Sequence, residues 1–474
     1  MITGSDGLFC AVSTPSGTSG IAVIRISGNG AAEALDKNIR IIRSSGDHRK
    51  VSDLPGYTCC FADLMDSSCS HVIDKVIVTR FTPPHSYTGD EMIEISCHGS
   101  GEVKKEILDT LYSLGIRQAG PGEFTKTAFM NGKMSLSSAE AVMDIISADS
   151  REGLRAANII ADGGLADRLD VTEKALYGMM ASIEMAVDFD DAETDDTPTK
   201  ELVRGTLEEQ IRSLDSLVAT YRQGRILSEK MRVAFTGIPN SGKSTLLNSI
   251  AGYERSIVTD ISGTTTDTIE VVCDIDGIPV ILTDTAGLRK TSNKIESMGV
   301  ERTKKEYSRA DVIFYLVSPD TTVDQVRDQV HEIRSKASSG TEVIILFNKS
   351  DLGTNPNEKE IMEAASMYGV RDSYDISAAN GTNVDSVRNA VIRHYRELGA
   401  GSGELVITQR RHYETLSEAL ERLKEAREAL AADAGLDVVS SVTRAALDLT
   451  GEISGKTVSA DLASEIFNRF CIGK

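Results

Sequence analysis

The segment Gly237-Ile238-Pro239-Asn240-Ser241-Gly242-Lys243-Ser244 has the residue types and spacing of a loop that wraps a polyphosphate. Its glycines let successive backbone N–H groups turn toward one anion, and a helix starting at its end adds partial positive charge. The apolar run Val233-Ala234-Phe235 precedes it, and Thr245 to Ile250 follow at helical spacing. In that setting Lys243 reaches the β- and γ-phosphates and the Ser244 hydroxyl binds Mg²⁺. A glycine-rich turn alone has a structural explanation; eight matching residues between a strand and a helix leave that explanation little room.

Three further segments narrow the ligand to a guanine nucleotide. Asp284-Thr285-Ala286-Gly287 follows the apolar run Val280-Ile281-Leu282, which puts Asp284 at a strand end near the Mg²⁺ shell and the Gly287 backbone near the γ-phosphate. Asn348-Lys349-Ser350-Asp351 follows the run Val343 to Phe347, and a carboxylate such as Asp351 accepts from both N1–H and the 2-amino group of guanine. Adenine offers no such pair. Ser377-Ala378-Ala379 backs the guanine O6, and the threonine loop Gly263-Thr264-Thr265-Thr266 supplies a second Mg²⁺ ligand. One NKxD tetrapeptide is common chance, but four motifs in order, each after a strand, predict a GTPase domain.

These motifs sit in a chain of 474 residues, enough for about three domains with their own cores. With 51 basic and 71 acidic residues the net charge is −20, so RNA contact needs a local patch or a partner rather than a global basic field. The seven cysteines form no paired CxxC spacing and read mostly as reduced core residues. Cys59-Cys60 with Cys69 lacks the spacing of a metal site. Asp6 and the absence of a long apolar core argue against a secretory leader, and no run has the length of a membrane span. A cytoplasmic protein is expected.

The elements that must position the motifs divide the chain into four stretches. Residues 1–118 read as a mixed α/β domain, with strands over 20–28, 76–81 and 92–97, a turn-rich loop Pro83 to Asp90, and a helix from Val103 to Leu114 with Leu108, Leu111 and Tyr112 at core spacing. Arg25 and Glu94 inside strands are edge positions or ligand contacts, edge placement being the simpler reading. Residues 119–228 have helical patterning, with Ser137 to Glu140 resembling a capping box and Val142, Ile145, Ile146, Leu154, Ile159, Ile160 and Leu165 on apolar stripes. The acidic run Asp188 to Asp196 reads as a solvated loop, with contact to a basic partner as the alternative. The GTPase domain spans 229–390. Residues 391–474 are helical again, with helices over 410–432 and 459–470. A discontinuous all-α domain with an inserted Ras-like P-loop domain is the simplest architecture. Both connections then leave the helices at neighbouring points.

From end to end the sequence resembles the MnmE (TrmE) family of tRNA modification GTPases. The stretches that carry the resemblance are Ile24 to Gly28, Ser86 to Glu91, Cys97-His98-Gly99, Pro121 to Phe124, Ala128 to Lys133, Ala139-Glu140-Ala141, Gly237 to Ser244, Thr259 to Thr265 and the tail Phe470-Cys471-Ile472-Gly473-Lys474. The resemblance implies a homodimer made through an N-terminal tetrahydrofolate-binding domain, with Arg25, Glu94, Lys133 and Lys474 at the folate-contacting positions and 5-formyl- or 5,10-methylene-tetrahydrofolate as donor. It implies a flavin-dependent partner, MnmG (GidA), in a heterotetramer or larger complex. Together they would place an aminomethyl-type group on C5 of the tRNA wobble uridine, with FAD on the partner.

In the GTPase domain the resemblance places nucleotide contacts at Asn240, Ser241, Gly242, Lys243, Ser244, Thr245, Thr259, Asp260, Ile261, Ser262, Gly263, Thr264 and Thr265. It continues them at Asp284, Thr285, Ala286, Gly287, Asn348, Lys349, Asp351, Ser377 and Ala378. Leu288 stands where Ras-like enzymes have a water-orienting Gln. The family uses K⁺ in place of an arginine finger, with Asn240, Thr259, Ile261 and Thr264 at the K⁺ positions, Ser244 and Thr265 on Mg²⁺, and Glu296 as the water-activating carboxylate. Potassium-dependent pairing of two GTPase domains is then expected to drive hydrolysis. Cys471 is a nucleophile or proton donor, or inert. Thr127, Ser100 and Ser135 depart from the family pattern, where Arg, Gly and an acidic residue are usual. A ribosome-assembly GTPase binding rRNA would match only 230–390 and usually carries a basic domain, which is missing here. A scaffold with a vestigial GTPase would not keep Lys243, Ser244, Asp284 and Asp351.

Overall fold

The computed structural model describes residues 7–42, 49–188, 197–253, 270–284, 306–338, 340–398 and 405–473. The chain divides into two compact units, one of residues 1–143, 160–182 and 443–474, the other of 144–159 and 183–442.

The first unit is built on a seven-stranded sheet. Its strands are β1 (Phe9–Val12), β2 (Ser19–Ser27), β3 (Ile39–Ile41), β4 (Thr58–Met65), β5 (Val72–Phe81), β6 (Met92–Gly99) and β7 (Arg117–Gln118), in the order β3-β4-β5-β6-β2-β1-β7. All neighbours are antiparallel except β1 and β7. Strand alternation sends Ile24, Ile26, Val76, Val78, Ile93 and Ile95 into one core, which α1 (Ala31–Leu35) and α2 (Gly101–Ser113) cover. Arg25 and Glu94 are not edge residues. They face each other across β2 and β6, both interior strands, where only pairing on the opposite side of the pleat accommodates charge. In α2, Ile107 and Leu111 are buried while Tyr112 is exposed, one step off the core stripe. Ser100 accepts from the Val103 N–H at 3.1 Å and so caps α2, a role the usual Gly fills less well.

Helices α3 (Glu123–Met130), α4 (Leu136–Ser147), α5 (Arg151–Ala161) and α6 (Gly164–Asp188) follow. The capping box expected at Ser137 is displaced. The cap is Ser135, whose Oγ accepts from Ser138 N–H at 3.1 Å, and Ser137 lies inside the helix. Ser shares with Asp the short side-chain acceptor that a cap needs. Of the expected stripe Ile160 and Leu165 are buried, joined by Ala156 and Ala157, while Ile146 and Leu154 are exposed.

The second unit carries α7 (Thr197–Ala219), α8 (Tyr221–Glu229) and a six-stranded sheet. Its strands are β8 (Met231–Gly237), β9 (Glu270–Ile275), β10 (Ile278–Asp284), β11 (Val312–Val317), β12 (Glu342–Phe347) and β13 (Ser373–Asp375), in the order β13-β12-β11-β8-β10-β9. Only the β9–β10 pair is antiparallel. Every residue of β11 is buried, as a parallel strand covered on both faces requires. Leu246 and Ile250 of α9 (Lys243–Tyr253) and Val387 and Val391 of α12 (Val384–Glu397) pack on one face. Val326 and Val330 of α10 (Val323–Lys336) and Ile361 of α11 (Glu358–Ser366) pack on the other. The boundary expected at 390 falls inside α12.

Helix α13 (Arg410–Ala431) buries Leu416, Leu420, Leu423, Ala426 and Leu430 and packs along α7. Helix α14 (Leu436–Ser454) has no counterpart in the sequence reading; its buried face mixes Val439, Ala446 and Leu447 with Thr443 and Thr450, which blurs the apolar period. Helix α15 (Ala460–Asn468) starts at the Ser459 cap.

The two connections to the GTPase sheet do run side by side. Ile407 N–H donates to Thr220 Oγ1 at 3.0 Å, Ser228 Oγ donates to the Thr408 carbonyl at 3.1 Å, and the rings of Tyr221 and Tyr413 stack 4.2 Å apart. Of the seven cysteines only Cys10, Cys97 and Cys273 are buried, and Cys59 and Cys471 are exposed, so the core reading holds for a minority. Among the described residues no helix is long and apolar enough to cross a membrane.

Candidate functional site

The phosphate-type loop joins the end of β8 to the start of α9. Its backbone needs left-handed geometry at Gly237, Asn240 and Gly242, with φ of 146°, 63° and 97°. Space excludes side chains at the two glycines as well. A Cβ at Gly237 would lie 2.5 Å from the Leu316 carbonyl of β11, and one at Gly242 would lie 2.2 Å from Asn348 Nδ2. The Lys243 ammonium is buried and donates to the Gly237 and Ile238 carbonyls at 2.9 and 2.8 Å. Ser244 Oγ donates to Asp284 Oδ2 at 2.6 Å, joining the first turn of α9 to the end of β10. Asn240 and Thr245 are exposed at the loop tip and on α9.

Two more strand ends meet this loop. Asn348 Nδ2 donates to the Ser241 carbonyl at 2.7 Å, while its Oδ1 accepts from Ala378 N–H at 2.9 Å. Ser377 Oγ donates to Asp351 Oδ1 at 2.5 Å, and Lys349 takes a positive φ of 65° in the turn between. Lys243, Ser244, Asp284, Asn348, Asp351, Ser377 and Ala378 therefore gather at the carboxyl ends of β8, β10, β12 and β13, where open α/β sheets bind ligands. A caged ammonium, a hydroxyl–carboxylate pair and a polar cleft fit a nucleoside triphosphate carrying Mg²⁺. Thr259 to Thr265, Thr285 to Gly287, Leu288 and Glu296 lie outside the described residues.

A second constellation lies on the open face of the seven-stranded sheet. Arg25 Nε donates to Glu94 Oε1 at 2.7 Å, and the Arg25 guanidinium lies 5.6 Å from the centre of the Tyr87 ring. The Tyr87 hydroxyl and Thr125 Oγ1 are 2.9 Å apart. Burial pushes the Tyr87 phenol above its ordinary pKa, with Thr125 and Arg25 pulling the other way. Lys133 Nζ donates to the Pro84 carbonyl at 2.7 Å, so it anchors the loop that carries Tyr87 rather than touching the Arg25–Glu94 pair. Cys471 is exposed and its carbonyl accepts from Gly122 N–H at 3.3 Å. Lys474 lies outside the described residues. Tyr87 and Thr125 are absent from the expected site residues; the only signal for Tyr87 is the stretch Ser86 to Glu91, and Thr125 lies one residue past the stretch Pro121 to Phe124. A guanidinium, a carboxylate and an aromatic face in one cluster fit a planar heterocycle with an amide edge, such as a pterin.

The doubly wound sheet and the loop at its carboxyl edge define a P-loop GTPase, carried in a larger multidomain α/β chain. The family profile "GTP-binding protein TrmE N-terminus" matches residues 8–133, and "MnmE helical domain" matches 136–471. The chain is 36% identical over 470 residues to "tRNA modification GTPase MnmE" of Carboxydothermus hydrogenoformans, covering 99% of this chain and 100% of the relative. It is 37% identical over 465 residues to the protein of that name from Caldicellulosiruptor saccharolyticus, covering 98% of each. Among solved structures, the G domain of the T. maritima FeoB iron transporter is 21% identical with a TM-score of 0.28, over 35% of this chain and 98% of that one. The chain belongs to the MnmE family of tRNA modification GTPases.

Proposed function

We propose that this GTPase serves C5 modification of the tRNA wobble uridine, as a homodimer working with a flavin-dependent partner of the MnmG type and a one-carbon tetrahydrofolate. The observation that carries the reading is the coexistence, in one chain, of the nucleotide cleft around Lys243 and the Arg25–Glu94–Tyr87 cluster. Lys243 exchanges its carbonyl partners for the β- and γ-phosphates. Ser244 and Thr265 hold Mg²⁺, which neutralises phosphate charge when bound, and Asp284 orients that shell. Asp351 accepts from the guanine edge, and Ser377 and Ala378 back O6.

Glu296 positions the attacking water, the task that Leu288 cannot perform. Asn240, Thr259, Ile261 and Thr264 hold K⁺, which supplies the charge an arginine finger gives elsewhere. At the other site Arg25 and Lys474 suit the folate carboxylates, Glu94 suits the aminopyrimidinone edge, and Lys133 keeps the Tyr87 loop in place. The same sheet face leaves Ile21 67%, Phe61 49% and Ile77 49% exposed, an apolar surface suited to a second copy. The net charge of −20 supports a division of labour in which the partner carries most RNA contact and the FAD.

Hydrolysis of GTP measured in K⁺ and in Na⁺, with wild type beside Glu296→Ala, tests the nucleotide half. Turnover present only in K⁺ and lost in the variant is expected. Equal rates in the two salts would sink the potassium mechanism.

A further inference from the structure

The carboxyl ends of the GTPase strands carry the nucleotide cleft, and their amino ends carry a second one. A cleft of about 560 Å³ opens where β12 and β13 begin, walled by the end of α10, the turns before the two strands and the last turns of α12. The 6 residues of β12 set it about 17 Å from the nucleotide end of the sheet, so the two clefts do not overlap.

Two arginines build this cleft. Arg334 of α10 donates to the Tyr368, Thr341 and Gly369 carbonyls at 2.9, 2.9 and 3.3 Å, tying the turns before β12 and β13 to one guanidinium. Arg393 of α12 meets Glu342 Oε1 at 2.9 Å, Asp372 Oδ2 at 2.5 Å and Glu397 Oε1 at 3.7 Å. His394 Nδ1 lies 2.8 Å from Glu342 Oε2. The three carboxylates that face the cleft are thus all drawn to Arg393.

Two further arginines have no such task. Arg371 lines the cleft in the turn before β13. The Arg222 guanidinium, from α8, lies over Gly340 on the rim, where a Cβ would collide with its Nη2. Both side chains are exposed, and among the described residues neither has an ion pair or a hydrogen bond. Four arginines (222, 334, 371 and 393) against Glu342, Asp372 and Glu397 leave the cleft net positive, in a chain whose net charge is −20. The planar guanidinium fork matches phosphate oxygens two at a time and is more weakly hydrated than an ammonium.

We propose, on the reading of this chain as a component of tRNA modification, that the cleft is a contact for the tRNA phosphate backbone, with Arg222 and Arg371 meeting the phosphates. It is the local patch that an acidic chain needs if it touches RNA at all. Contacts of this kind fix the position of the RNA and carry no base information. Lying at the far end of the strands from Lys243, the patch holds RNA without obstructing the nucleotide.

The test uses the full-length protein and an unmodified tRNA transcript, titrated across a range of salt concentrations. Wild type is compared with the double variant Arg222→Glu, Arg371→Glu and with Arg168→Glu, Arg204→Glu, which changes the net charge equally at exposed positions of α6 and α7. The cleft variant is expected to bind at least tenfold more weakly, with a salt slope shallower by about 1.5, as two lost phosphate contacts require. The control should bind as wild type does, and GTP hydrolysis and the melting point of the cleft variant should not change. If the charge reversal unfolds the protein, Arg222→Gln with Arg371→Gln carries the test, with the same shallower slope. Wild-type affinity in the cleft variant, or an equal loss in the control, overturns the contact. A variant that keeps tRNA and loses only a polyglutamate probe does so too, and assigns the cleft to an acidic protein surface. A wild type that binds no tRNA also overturns it, but not the modification reading, which fails only if wild type does not restore the modified uridine in cells lacking this chain.

Discussion

The Asn348 carboxamide donates to the Ser241 carbonyl at 2.7 Å, spanning 107 positions of sequence, and with its other atom takes the Ala378 N–H. One side chain thus ties the phosphate loop to the segment that follows β13. Asn348→Ala leaves a buried carbonyl and a buried N–H unpaired, each worth about 1–3 kcal/mol. GTP affinity is expected to fall by more than tenfold and the GTPase sheet to unfold several degrees earlier. Titration with a fluorescent guanine nucleotide and a melting curve check both.

Base choice rests on Asp351, oriented by Ser377 at 2.5 Å. An amide in its place offers a donor where guanine also offers a donor, but xanthine presents a carbonyl. Asp351→Asn should therefore lose GTP by about two orders of magnitude or more and gain xanthosine triphosphate, on the scale of a site left with unpaired polar groups. Competition between the two nucleotides reads the switch directly.

Where the chain enters and leaves the GTPase sheet, Gly224 is pressed against backbone, since a Cβ there would lie 2.2 Å from the Ile407 carbonyl. Gly224→Ala is expected to destabilise by about 1–3 kcal/mol as overpacking against an atom that cannot rotate away. Gly205, on α7, has nothing within 4 Å of such a Cβ, and Gly205→Ala should stabilise by about 0.5–1 kcal/mol. Chemical denaturation of the two variants side by side separates crowding from helix propensity.

The nucleotide cleft was legible because each of its parts is a contiguous motif after an apolar strand, so Lys243, Asp284, Asn348 and Asp351 could be placed without knowing which strands pair. The Arg25–Glu94 pair was not legible in the same way. Alternation tells which face a residue occupies but not which strand lies alongside, and two charges in separate strands look like edge residues until β2 and β6 are seen to be neighbours. Tyr87 and Thr125 meet only through tertiary packing, 38 positions apart. Helix α14 escaped because its buried threonines read as polar, and Ser137 was mistaken for a cap because Ser135, two residues earlier, offers the same chemistry.

Glu123, the first residue of α3, gives a pH signature. Burial alone would raise its carboxyl, but hydrogen bonds from Arg117 and from Gly120 N–H, with the nearby positive charges, hold it below the ordinary value of 4.5. A depressed carboxyl contributes stability that is present above that ordinary value and is lost as pH falls through the folded one. Glu123→Gln should therefore be less stable than wild type near neutrality, by about 1 kcal/mol on the scale of a charge-assisted bond. The difference should shrink as pH drops below 4.5. Melting points of both proteins across pH 3 to 7 (a window of roughly that span around the titration) check the sign.

The central claim is that one chain joins a GTP cleft to a one-carbon donor site in the same modification. The most direct test is mass-spectrometric analysis of tRNA wobble nucleosides from cells lacking this chain, complemented with wild type, Lys243→Ala or Glu94→Gln. The account predicts that wild type restores the modified uridine and that neither variant does, although Glu94→Gln still hydrolyses GTP. Full modification with Glu94→Gln would contradict it.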